Sequence, residues 1–175
     1  VGYEIDEKLK PLLQETLIGV DNAEIVFGDV MQQKTSEIEK KLGDDYVIIA
    51  NLPYYITTPI IFKFLEEAKH LKRLVIMVQL EVAERLTADE NTKNYGAITA
   101  QLKYRSNVKI TRIVKRNMFT PAPNVDSAVV RIDFVNKYEI LDEKLLNNLI
   151  KSAFQMRRKT LVNNLKNSFG YTNDY

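Results

Sequence analysis

The chain of 175 residues is 45% hydrophobic and 27% charged, with 6 Gly and 5 Pro, a composition that lets a globular domain bury a core without disulfide or structural metal. It has no cysteine, which excludes disulfides, thiolate zinc sites, CxxC redox chemistry and a cysteine nucleophile, and which fits a reducing cytosol. The net charge of +2 divides into −6 over residues 1–50, 0 over 51–100, +4 over 101–150 and +4 over 151–175, and a basic second half points to a polyanion partner, since Lys and Arg release counterions from phosphates.

In chain order, Val1 to Ile5 reads as a short strand ending in Glu4 and Asp6, followed by a helix with Leu9, Leu12, Leu13 and Leu17 on one face and Pro11 in its first turn. Glu24 to Phe27 is strand-like and stops at Gly28-Asp29; a polar helix spans Thr35 to Leu42. Tyr46 to Ala50 is a continuous apolar run of the kind a buried parallel strand shows, and it breaks off at Asn51-Leu52-Pro53-Tyr54. Thr58 then caps a helix with Pro59 at its first position and Ile60, Ile61, Phe64, Leu65 and Ala68 as its buried stripe. His70, the single histidine, reads as a solvated helix end rather than a metal ligand, so no metal is expected.

Leu74 to Val78 is the next strand, Leu80 to Leu86 and Ala97 to Tyr104 are helical, Val108 to Val114 and Ser127 to Phe134 are strands, and Phe119 to Asp126 is a proline-containing loop. This order predicts a mainly parallel α/β sheet with an antiparallel pair at its end. From Asp142 the pattern is helical, with one stripe from Leu145 to Phe154 and a second from Leu161 to Phe169. The longest apolar runs are far shorter than the roughly 20 residues that cross a bilayer, and no basic-then-apolar leader opens the chain, so a soluble protein with no membrane partner is expected.

Ligands of such sheets bind at the carboxyl ends of the strands, which brings Glu4, Asp29, Asn51 to Tyr54 and Gln79 forward. Glu4 could accept hydrogen bonds from the ribose hydroxyls of a nucleoside cofactor and Asp29 from its adenine amine, although an acid at a strand end is equally a helix cap. In the tetrapeptide, Pro53 holds Leu52 extended, so the Leu52 carbonyl and the Asn51 amide oxygen offer two neighbouring acceptors. Two acceptors can grip both N–H bonds of an aromatic amine, favouring a pyramidal nitrogen whose lone pair can attack a methyl sulfonium. Tyr54 would stack the base; four residues alone also allow an ordinary Asn-Pro turn.

Several blocks together resemble the rRNA adenine dimethyltransferase family (KsgA/RsmA): Glu4-Ile5-Asp6, Gly28-Asp29-Val30, Asn51-Leu52-Pro53-Tyr54 with Thr57-Thr58-Pro59, Gln79 to Leu86, Tyr95-Gly96, Phe119 to Val130 and Ala153 to Leu165. The resemblance implies a class I S-adenosylmethionine-dependent methyltransferase (Rossmann-like) fold over residues 1–136 and the beginning of a helical RNA-binding domain over 137–175. It implies S-adenosylmethionine as cofactor, and dimethylation of two adjacent adenines of small-subunit ribosomal RNA in an assembly particle, hence ribosome biogenesis. By the same resemblance Glu4, Ile5, Asp29, Val30 and Asn51 bind the cofactor. Asn51, Leu52, Pro53, Tyr54 and Phe119 form the catalytic group, with Tyr54 and Phe119 holding the target base. Arg157, Arg158 and Lys159 face RNA, joined by Arg112, Lys115 and Arg116 of the basic second half.

The family's glycine-rich loop has no counterpart, since the glycines stand at 2, 19, 28, 43, 96 and 170. A sheet lacking its N-terminal first strand is therefore expected, with the flanking strands left unpaired on one side and no measurable cofactor binding by this chain alone. The competing readings are a macrolide-resistance type methyltransferase of large-subunit rRNA and a non-catalytic RNA-binding factor on the same fold.

Overall fold

A computed structural model describes residues 1–135, 137–156 and 158–170. The described residues form two compact units: Val1–Tyr46 with Thr58–Leu71, and Val47–Thr57 with the residues from Lys72 onward.

The first unit carries a two-stranded parallel sheet of β1 (Gly2–Glu4) and β2 (Ile25–Phe27), in register Gly2↔Ile25, Tyr3↔Val26 and Glu4↔Phe27. Between the strands lies α1 (Lys10–Thr16), with Pro11 in its first turn as expected. Its apolar stripe is less buried than the spacing predicts, because no residue of α1 is buried and Leu12 is 59% exposed. After β2 come α2 (Thr35–Leu42) and most of α3 (Thr57–Glu67), whose Ile60, Ile61, Phe64 and Leu65 are buried. α2 is tied to the end of α3 by polar bonds. The Thr35 hydroxyl donates to Glu67 Oε2 at 2.6 Å, and Glu39, itself buried, accepts the backbone N–H of Lys69 at 2.7 Å and of His70 at 2.9 Å on Oε1, with the Tyr46 hydroxyl 3.3 Å away. His70 lies past the helix and pairs through Nδ1 with Asp44 at 2.8 Å.

α3 starts two residues earlier than expected. Thr58 is thus inside the helix rather than its cap, and Pro59 occupies the third position, where a missing N–H still costs no intrahelical bond.

The second unit holds a four-stranded sheet in the order β3-β4-β6-β5, from β3 (Tyr46–Asn51), β4 (Leu71–Gln79), β5 (Ser106–Val114) and β6 (Ser127–Phe134), the first residues of β3 and β4 belonging to the first unit. β6 runs antiparallel to both neighbours, with Gln79↔Ser127 at one end of its ladder to β4. Among the described residues no ladder joins this sheet to β1 and β2. The apolar run of β3 is not buried on both faces: Val47 is 48% and Ile49 81% exposed, so the strand alternates with one face open to solvent. In β5 the register slips between Ile110 and Arg112, a bulge at Thr111 whose hydroxyl donates to Val129 O at 3.1 Å.

α4 (Leu80–Leu86) and α5 (Ala97–Arg105) connect β4 to β5. α6 (Glu143–Ala153) docks on α5, where Asn147 Oδ1 accepts from Gln101 Nε2 at 3.0 Å and from the Tyr104 hydroxyl at 2.9 Å, and the Tyr95 and Phe154 rings lie 5.9 Å apart. α7 (Leu161–Phe169) is capped by Thr160, and its buried Asn164 donates from Nδ2 to Ala153 O at 2.9 Å and Met156 O at 3.2 Å, closing the turn between the two helices.

Candidate active site

In the first unit the parallel pairing brings Glu4 and Asp29 to the same end of the small sheet, joined by Gly28 N donating to Glu4 O at 2.8 Å. Gly28 has φ +139°, a backbone that only glycine adopts without strain, so the chain turns sharply off β2 and leaves Asp29 at its mouth. Neither acid caps a helix. Glu4 Oε1 accepts Asp6 N at 2.8 Å, while Asp6 does the capping by accepting Lys8 N. Asp29 Oδ1 accepts Met31 N at 2.8 Å and Oδ2 lies 3.4 Å from Gln32 Nε2. Each carboxylate is thus oriented by its own loop, Glu4 through one oxygen and Asp29 through both. Ile5, next after Glu4, is 66% exposed, and Val30, next after Asp29, is half-buried.

In the second unit β3 ends at Asn51, whose side chain is exposed, and Leu52-Pro53 leads into a turn over Tyr54–Ile56. The Pro53 carbonyl accepts Ile56 N at 3.1 Å and the hydroxyl of buried Thr57 at 3.3 Å. The loop's own bonds therefore fall one residue past the Leu52 carbonyl. Tyr54 is half-buried and its hydroxyl lies 2.7 Å from Ser127 Oγ, at the first residue of β6. Phe119, half-buried, follows a turn of 3₁₀ helix at Arg116–Met118, in a loop whose neck Asp126 closes. Asp126 Oδ2 pairs with Lys115 Nζ at 2.9 Å, Oδ1 accepts Arg116 N at 2.9 Å, and its carbonyl accepts Leu80 N at 3.0 Å. The Lys115 bond, followed by the Arg116 N–H, holds the Asp126 carboxyl below the usual carboxylate range. Consecutive residues Asp126 and Ser127 thus anchor the two aromatic elements.

Of the basic residues, Lys115 is engaged with Asp126, Lys103 with Asp89 and Glu90, and Arg105 with Glu143. Arg112, Arg116, Arg158 and Lys159 are exposed, and Arg157 lies outside the described residues. Asp126 and Ser127 were missed as site residues by sequence reasoning, although both fall inside the Phe119 to Val130 block; a polar pair standing between a proline loop and an apolar strand was the available signal. Among the described residues no group of acids and His70 is placed to hold a metal ion, and no helix is long and apolar enough to cross a membrane.

The family model for ribosomal RNA adenine dimethylase matches residues 1–174. A ribosomal RNA small subunit methyltransferase A of Bacillus cytotoxicus is 42% identical over 173 residues, covering 96% of this chain and 59% of that protein. Its counterpart in Bacillus mycoides is 41% identical over 180 residues, covering 99% of this chain and 62% of that protein. The chain spans about three fifths of the length of these curated relatives. The crystal structure of a dimethyladenosine transferase from Plasmodium falciparum superposes with a TM-score of 0.77 at 29% identity, covering 94% of this chain and 58% of that one. That of the 23S rRNA methyltransferase ErmE gives a TM-score of 0.73 at 24% identity, covering 94% and 65%, which bears on the fold alone. The fold is that of the class I methyltransferases, and the chain belongs to the ribosomal RNA adenine dimethylase family.

Proposed function

We propose that the protein dimethylates the exocyclic amine of two adjacent adenines in small-subunit ribosomal RNA, using S-adenosylmethionine, in the cytoplasm during ribosome assembly. The observation that carries this reading is the loop after β3, where Asn51 ends an exposed strand tip and the internal bonds converge on Pro53 rather than on Leu52. The small-subunit methyltransferase A relatives support the choice of RNA.

Glu4 and Asp29 suit a nucleoside. Both are half-buried acceptors, oriented by their own loops at one end of a parallel pair, beside Ile5 and Val30. In this reading Glu4 takes the ribose hydroxyls and Asp29 the adenine amine of the cofactor, which when bound supplies an electrophilic methyl group. Asn51 Oδ1 and the Leu52 carbonyl take the two hydrogens of the target amine and free its lone pair from the ring. Tyr54 and Phe119 hold the base, and water exclusion by the two rings keeps the acceptors strong. Residues 1–136 supply this chemistry, while Arg157, Arg158 and Lys159 of residues 137–175 engage RNA together with Arg112, Lys115 and Arg116.

The test is methylation of unmodified ribosomal particles by the full-length protein, mapped by mass spectrometry. Dimethyladenosine at two adjacent small-subunit positions is expected. Modification of large-subunit RNA instead would assign the chain to the resistance-type activity, and RNA binding without methylation would make it a silent factor.

A further inference from the structure

The Ser127 hydroxyl is an anomaly in its strand. β6 buries Ala128, Val130 and Ile132 completely on one face; on the other, where Val129, Arg131 and Asp133 are only half-buried, Ser127 is fully buried and sets a hydroxyl there. A buried hydroxyl costs stability unless it is bonded, and alanine would fill the same space without that cost. Ser127 Oγ spends its bond on Tyr54, 73 residues away in sequence, at 2.7 Å. The contrast with the next residue is direct: Tyr55 is 84% exposed, whereas Tyr54 is held at both ends. Its backbone sits in the turn pinned by the Pro53 carbonyl, and its phenol oxygen is fixed by the sheet. Two fixed ends set the axis of the ring. Ser127 lies opposite Gln79 and Val114, at the carboxyl ends of β4 and β5 where sheets of this kind hold their ligands.

We infer that Ser127 is a positioning residue for methyl transfer: its buried hydroxyl fixes the axis of the Tyr54 ring on which the target adenine stacks. The inference rests on the adenine-methylation reading above. It also assigns a job to the Tyr54 hydroxyl distinct from stacking, since a phenylalanine would stack equally well.

The test is a double-mutant cycle in the full-length protein, with kcat, KM for RNA and cofactor affinity measured for Ser127→Ala, Tyr54→Phe and the pair. One neutral hydrogen bond corresponds to roughly a threefold to tenfold effect, so each single variant is expected to lose that much in kcat/KM for RNA. The double variant should lose no more than either single one, with cofactor affinity unchanged. Ser127→Thr, which keeps the hydroxyl, should retain most activity; a role confined to folding would lower the melting temperature of Ser127→Ala and leave kcat/KM alone. Tyr54→Phe reads the same bond without touching the core, so failure of Ser127→Ala to fold does not remove the test. An active wild type with an unimpaired Tyr54→Phe, or with losses that multiply in the double variant, overturns the inference alone. A wild type that methylates no RNA adenine overturns it together with the functional reading.

Discussion

Replacing Glu39 by alanine tests the account of how the first unit is held together. The carboxylate is 8% exposed and gathers three donors on one oxygen: the N–H groups of Lys69 and His70 at 2.7 and 2.9 Å, and the Tyr46 hydroxyl at 3.3 Å. Burial, then the neighbouring Glu39 charge and its bond, push the Tyr46 phenol far above its ordinary value, so it stays a donor at any pH of interest. Leaving a part-buried donor without its acceptor costs about 1 kcal/mol at the low end, and the low end applies here because Lys69 and His70 have exposed side chains and water can reach the gap. Three donors give about 3 kcal/mol, which for a chain of this length lowers the melting temperature by about 6–12 °C. Glu39→Gln keeps an acceptor oxygen for both backbone groups and should lose only about 1 kcal/mol. Urea titrations followed by circular dichroism give the difference directly, provided the slope is unchanged. An alanine variant within about 1 kcal/mol of wild type, or a glutamine variant as weak as the alanine one, would refute the reasoning.

Asn51→Ala in the full-length protein should lower turnover by about a hundredfold to a thousandfold while cofactor affinity changes little, as loss of a transition-state hydrogen bond does; turnover within about threefold of wild type removes Asn51 from the mechanism. Neutralising Arg157, Arg158 and Lys159 together should weaken RNA binding and reduce the log–log salt slope by about 0.7–0.9 for each phosphate that is no longer neutralised, and an unmoved slope removes them from the RNA contact. Asp126 is held below the usual carboxylate range, so its stabilising bonds are complete above the ordinary aspartate value and fade as pH falls through the lowered folded one. The stability gap between wild type and Asp126→Asn should accordingly narrow between about pH 7 and about pH 3; a constant gap would show that the Asp126 charge contributes nothing.

The strands and helices are legible in the sequence because their signals are local. Thr35 to Leu42, Leu80 to Leu86 and Ser127 to Phe134 fall where periodicity puts them, and Asn51 to Tyr54 stands out since a proline halts an apolar strand. What cannot be read is which residues a polar side chain will meet. Glu39 looks like any acid on a polar helix, and its partners stand 30 and 31 residues later in sequence. Ser127 looks like the polar half of an alternating strand, and only the fold supplies Tyr54. Exposure is hidden for the same reason: Leu12 and Ile49 have core-like spacing, but spacing says which face a residue shares and not whether anything covers that face. α3 starts two residues early because the Thr57 hydroxyl finds the Pro53 carbonyl, running the turn straight into the helix.

The bulge at Thr111 has a consequence for how the molecule behaves among its own copies. β5 is the end strand of the four-stranded sheet, and an end strand offers a row of backbone donors and acceptors to any extended chain that drifts against it. The extra residue breaks that row in the middle, so an incoming strand cannot stay in register along it. Lys109 and Arg112, exposed on either side of the interruption, would set like charges together if two copies met along this edge. On that side backbone irregularity and charge repulsion oppose growth of the sheet by strand addition.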